Sequence, residues 1–192
     1  MSGFTLLELI VTLALIVVIA AITVPRIDAS VDHWRTRGAA SFMAARFAHV
    51  RMEALKRNAN VGLRFSALPD GFDMRTFADG NDNGLRSAEI ASGKDPEVLP
   101  RQRLEALFPG VRFGFVDNST LIDGTPVASG ADPIRFGTAK MATFTPAGTA
   151  SSGTVYVRGR GNWQFAVVVL GATGRTRILQ FEPASKAWSA PW

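Results

Sequence analysis

The stretch Gly3-Phe4-Thr5-Leu6-Leu7-Glu8-Leu9-Ile10-Val11-Thr12-Leu13 opens a run that stays apolar as far as Val24. From Phe4 to Val24 there are 21 residues, and Glu8 is their only ionisable side chain. As a helix rising about 1.5 Å per residue, the run spans about 31 Å, close to the roughly 30 Å hydrocarbon core of a bilayer. A cleaved secretory signal would show a basic n-region, a shorter apolar core and a small-residue cleavage site. Here no Lys or Arg precedes the run, and Pro25-Arg26 is a poor sequel to Ala20-Ala21. The run reads as a retained membrane helix.

Glu8 needs a reason to be there. A carboxylate within a membrane segment costs about 2.5–3.5 kcal/mol on insertion scales, and such residues are functional by default. A position near the helix end, with the side chain reaching the headgroups, would explain one tolerated Glu. It does not explain the string around it.

That string resembles the class III signal of type IV pilins and type II secretion pseudopilins. The resemblance implies a prepilin peptidase that cuts between Gly3 and Phe4, and N-methylation of the new terminal Phe4. It also implies that Glu8 pairs with the free N-terminus of a neighbouring subunit during filament assembly. The physics is consistent, because an amine from another chain compensates a carboxylate that lipid cannot solvate. Family leaders carry Lys or Arg before the Gly, whereas residues 1–3 carry none. A misassigned start codon or a truncated leader is the expectation. Arg26, Arg35 and Arg37 follow the run, so a positive-inside count alone would leave the bulk of the chain in the cytoplasm. The resemblance implies the opposite, a single pass through the bacterial inner membrane with the C-terminal head in the periplasm.

Beyond Pro25, which should end or kink the apolar helix, helical spacing resumes. Ile27, Val31 and Trp34 form one stripe; Met43, Phe47, Val50 and Ala54 form another. Arg46, Arg51, Lys56 and Arg57 would decorate other faces. The helix should reach about Lys56, with Asn58 as terminator. From Asn60 the period becomes two. Expected strands are Val61–Phe65, Phe72–Phe77, Val111–Phe115, Thr154–Arg158, Trp163–Leu170 and Arg175–Phe181, with residues 117–142 loop-rich. The fold class is α+β: a long N-terminal helix packed on an antiparallel β-sheet head.

Three further strings resemble the GspH/FimT group of these proteins. They are Ala54-Leu55-Lys56-Arg57-Asn58 before the first strand, Phe144-Thr145-Pro146-Ala147-Gly148-Thr149 before Gly153–Val157, and Gly174-Arg175-Thr176-Arg177. The implied organisation is a leader over 1–3, a transmembrane and filament-core helix over 4–24, its amphipathic continuation over 25–58, and a β-rich periplasmic head over 59–192. The implied function is that of a minor pseudopilin in a type II secretion pseudopilus, structural rather than enzymatic. Its partners would be the prepilin peptidase, other pseudopilins or pilins in a filament, and inner-membrane lipid. The alternative is a minor type IV pilin of FimT type, engaged in pilus assembly or in DNA binding and uptake.

Composition narrows the chemistry. With no Cys, thiol catalysis, disulfides and Cys-based zinc sites are excluded. His33 and His49 lie 16 residues apart without a second ligand nearby, and read as surface residues. No nucleophile elbow, phosphate loop or metal-binding His pair occurs, so an enzyme is not expected and no cofactor is called for. Asp79, Asn81 and Asn83 sit at alternate positions like the start of a calcium loop. The closing Glu is missing, since Ile90 stands there and Glu89 is one short, so a hairpin tip is the favoured reading. Arg outnumbers Lys 17 to 4, and the part after Val24 carries 21 basic against 15 acidic side chains. Arg175 and Arg177 share a strand face, and Arg158 and Arg160 repeat that spacing, with Tyr156, Trp163 and Trp188 available for stacking. These four arginines are the candidates for binding nucleic acid or a partner subunit.

Overall fold

A computed structural model describes residues 5–191, the side chains of 22–27 excepted. The cleavage position at Gly3 and Phe4, the leader 1–3, and the side chains of Pro25, Arg26 and Ile27 lie outside the described residues.

Helix α1 (Leu6–Arg57) is a single 52-residue element. Thr5 caps it: its hydroxyl accepts the Glu8 N–H at 3.3 Å, and Glu8 lies in the first turn, where the exposed amides favour negative charge. The backbone stays helical through Pro25, so the expected break does not occur there. Asn58 ends the helix in the left-handed conformation, φ 51°, with its N–H returned to the carbonyls of Ala54 and Leu55.

The two halves of α1 have different surroundings. Leu6, Leu7, Leu9, Ile10 and the apolar residues up to Ile19 are each more than half exposed. Ala39, Ala40, Met43, Phe47, Val50 and Ala54 are fully buried, as their spacing on one helical face requires. Val31 and Trp34 remain exposed, so the earlier of the two expected stripes does not face the core. Among the described residues, no helix is long and apolar enough to cross a membrane.

The expected single sheet is two antiparallel sheets around one core. In the first, β1 (Val61–Leu68) and β2 (Gly71–Ala78) form a hairpin flanked by β3 (Glu97–Arg103) and β6 (Met141–Phe144), in the order β3-β2-β1-β6. The second is the meander β7 (Gly153–Arg158), β8 (Gln164–Leu170), β9 (Arg175–Glu182) and β10 (Ala187–Ser189). Two short strands, β4 (Arg112–Phe113) and β5 (Ile134–Arg135), lie end to end along the free edge of β7. Helix α2 (Ser87–Ser92) and the single turn α3 (Leu104–Leu107) lie in the connections. Phe47 of α1, Phe65 of β1, Phe136 and Phe144 meet at ring separations of 5.7–6.4 Å and join both sheets to the helix.

The sheet divides at the turn Thr145–Thr149, where Thr145 N–H donates to Thr149 O at 2.9 Å and Gly148 N–H to Thr145 O at 3.0 Å. Gly174 meets this turn from the β8–β9 connection. Its φ is +59°, and a side chain there would meet Gly148 O and Arg51 of α1. Gly148 and Gly174 therefore meet Arg51, one helical turn before Ala54, at one corner of the fold.

Candidate functional site: the exposed helix and the arginine faces of the head

Alternation in the second sheet turns Val155, Val157, Phe165, Val167 and Val169 toward α1. The other face carries Tyr156, Ala166 and Leu179, covered by Leu121, Phe115, Val127 and Trp188 in a second, smaller core. Polar ties hold the covering chain. Ile122 N–H donates to Tyr156 Oη at 3.2 Å, Val116 N–H to Gln164 Oε1 at 2.7 Å, and Trp188 Nε1 to Thr120 O at 3.0 Å. Tyr156 is only 1 % exposed, so its ring is not available for stacking on a base. Trp188 packs on Tyr156 and Phe181, and Trp163 on the His33 ring at 4.2 Å.

Arg175 and Arg177 lie on that outer face beyond the covered area, both exposed. Thr154, Val168 and Arg177 are successive cross-strand neighbours, and Arg135 of β5 continues the row. With strands about 4.8 Å apart, Arg135 and Arg177 stand about 14 Å from each other. Sequence reading missed Arg135, because it lies in the irregular 117–142 segment and only the pairing of β5 with β7 brings it into the row.

Arg158 and Arg160 do not join this patch. Arg158 is at the opposite end of β7, where its Nη1 donates to Phe115 O at 2.8 Å. Arg160 is in the β7–β8 turn against α1. Asp32 of α1 accepts the N–H of Arg160 at 3.0 Å and of Gly161 at 2.9 Å. His33 follows the same docking; burial, and then the charge of Arg37, push its imidazole pKa down. It is a packing residue rather than a surface one, whereas His49 is exposed and 4.0 Å from Glu53.

Arg46, expected on the solvent face, is buried. Its Nη2 donates to Thr76 Oγ1 at 3.1 Å and to Pro100 O at 3.2 Å, tying α1 to the first sheet, and burial lowers its pKa.

The Asp79–Gly84 loop closes on itself. Asp79 accepts from Asn60 Nδ2 and from the N–H groups of Asn81 and Gly84, while Glu89 accepts from the amides of Asn81 and Asn83. Burial opposes the charge of Asp79, and these hydrogen bonds outweigh it, holding its carboxyl below the usual range. Among the described residues no group of three or more His, Asp or Glu side chains is arranged to hold a metal.

One long helix packed on antiparallel sheets is the pilin-like architecture. Among solved structures the chain is similar to the minor pseudopilin EpsH from the Type 2 Secretion System of Vibrio cholerae. One structure of it matches at 14 % identity and a TM-score of 0.47, over 76 % of this chain and 97 % of that one. A second matches at 13 % identity and a TM-score of 0.44, over 76 % and 94 %. No family model and no curated protein sequence matches the chain.

Proposed function

We propose that the protein is a minor pseudopilin: a structural, non-catalytic subunit of a type II secretion pseudopilus. The observation that carries this reading is the division of α1 into an uncovered apolar half bearing Glu8 and a half packed on both sheets. An apolar face of that length in water is unfavourable at about 25 cal/mol per Å². Lipid removes it from water before assembly, and the helices of neighbouring subunits do so in the filament. On this reading residues 4–24 anchor the chain in the inner membrane with the head in the periplasm. A prepilin peptidase cuts after Gly3, Phe4 is N-methylated, and Glu8 meets the Phe4 amine of the next subunit. The test is mass spectrometry of the membrane-extracted protein. An N-terminal peptide beginning with N-methyl-Phe4 is expected; a terminus that retains Gly3, or one lying beyond Val24, contradicts the reading.

A second reading, a minor type IV pilin that binds DNA, is favoured by one observation, the exposed row of Arg135, Arg177 and neighbouring Arg175. It requires salt-sensitive DNA binding lost in Arg175→Ala and Arg177→Ala. Binding unchanged in both variants removes it.

A further inference from the structure

A second arginine cluster lies apart from Glu8 and from the outer-face row. Arg112 of β4 and Arg158 of β7 are direct cross-strand partners, an arrangement in which like charges repel. Arg160 joins them: with Arg112, Arg158 and Glu105 it lines a pocket of about 380 Å³. Two glycines allow this. A side chain at Gly110, whose φ is +89°, would collide with the Arg160 guanidinium, and one at Gly114 would press on the Arg158 stem. Arg160 thus packs over Gly110 and Arg158 over Gly114, on either side of Arg112 in the chain.

The cluster is only partly offset from within, by the charges of Asp117 and Asp32 acting on Arg158. Neither Arg112 nor Arg160 has a side-chain hydrogen bond or ion pair among the described residues. The oxygens of the nearby Asp32 are occupied by the amides of Arg160 and Gly161. Burial pushes the Arg158 pKa down, and the charge of Arg112 adds to that. Glu105 lines the same pocket with its carboxylate oxygens buried, and that burial pushes its pKa up. Two cations left opposite each other across a strand pair are held there at a cost that an anion would relieve.

A neighbouring groove of about 890 Å³ shares Arg112 and Arg158 with the pocket and is lined by the β1–β2 turn and by residues 127–131. Half-buried Phe72 and Phe115 supply apolar wall. The lining holds no basic residue beyond the two shared arginines, and it does hold Asp70 and Asp117. A nucleic-acid backbone continuing along this groove would meet carboxylates instead of cations. A segment with one or two carboxylates and adjacent apolar side chains matches both halves.

We propose that Arg112, Arg158 and Arg160, with the adjoining groove, form a docking site for an acidic, partly apolar peptide segment of a partner protein. The carboxylates would seat on the guanidinium groups in bidentate fashion, and the apolar side chains on Phe72 and Phe115. The site stands independently of the pseudopilin reading, since no part of it lies on the exposed half of α1.

The test uses the full chain in a neutral detergent and a ten-residue peptide alternating Glu and Leu, followed by NMR or fluorescence. Binding that weakens with salt is expected, with about a tenfold loss in each of Arg112→Gln and Arg160→Gln, which break no hydrogen bond in the fold, and in the peptide with Gln in place of Glu. Arg112→Glu should lose the acidic peptide and gain the one with Lys in place of Glu, a reversal that misfolding cannot produce. No binding of the acidic peptide, equal binding by wild type and both Gln variants, or no such reversal overturns the proposal. So does a short DNA oligonucleotide that binds more tightly than the peptide and is lost in the same variants.

Discussion

Asp32 of the long helix holds Arg160 of the β7–β8 turn by its backbone, accepting its N–H at 3.0 Å and that of the next residue, Gly161, at 2.9 Å. The two are 128 residues apart in sequence, so this one carboxylate fixes the far end of the second sheet against α1 just before the helix leaves the head. Charge-assisted bonds of this kind are the stronger ones. Asp32→Ala should therefore cost about 1–3 kcal/mol and raise amide exchange at Arg160 and Gly161 more than at the centre of β8. Unchanged exchange at those two amides would show that the turn docks without Asp32.

Beside that contact, His33 packs on Trp163 with its pKa held down by burial and by Arg37. A His whose folded pKa is depressed binds its proton more readily in the unfolded chain. Its contribution is complete above the unfolded value of about 6.5 and is lost as pH falls from there through the folded pKa. Melting temperature should fall between pH 7.5 and 5 in the wild type and fall less in His33→Gln. Parallel profiles for the two would contradict this.

Arg46 ties α1 to the first sheet through Thr76 and Pro100. Arg46→Ala removes two charge-assisted bonds and opens a cavity, which should cost about 2–4 kcal/mol in urea unfolding. Arg46→Met, which refills the volume, should recover part of that loss. A loss below 1 kcal/mol in the Ala variant would show that the guanidinium is not a structural tie.

Tyr156 closes the second core, and its hydroxyl accepts the Ile122 N–H. Tyr156→Phe should cost about 1 kcal/mol and loosen residues 119–127, visible as faster exchange of the Ile122 amide, while leaving the main core intact. No change at Ile122 would assign the loop's position to packing alone.

What the sequence revealed and what it hid have physical reasons. The stripe Met43, Phe47, Val50, Ala54 and the strands of the meander were legible because one face is buried and the other is not, so periodicity survives in the residue pattern. Strand β3 was invisible: Glu97–Arg103 is polar, with no fully buried residue, and pairs with β2 through a bulge and ion pairs such as Arg75–Glu97. Arg46 and His33 were misplaced because burial of a polar side chain depends on partners remote in sequence. The cap of Thr5 on the Glu8 N–H has its own spacing signal, Thr-x-x-Glu, which lies inside the stronger apolar one. The charge pattern marks four arginines, yet only the registers of β4, β5, β7, β8 and β9 divide them between two sites and add Arg135 and Arg112.

Only the backbone N–H of Glu8 enters that cap, so a change of its side chain leaves the bond to Thr5 in place. Gln at this position keeps that N–H and the side-chain size but cannot pair electrostatically with an amine. The most direct test of the account is incorporation of Glu8→Gln into filaments in cells, measured by crosslinking beside its membrane-bound level. The account predicts a normal membrane pool and loss of crosslinks to neighbouring subunits. A Gln variant that enters filaments as the wild type does would contradict it.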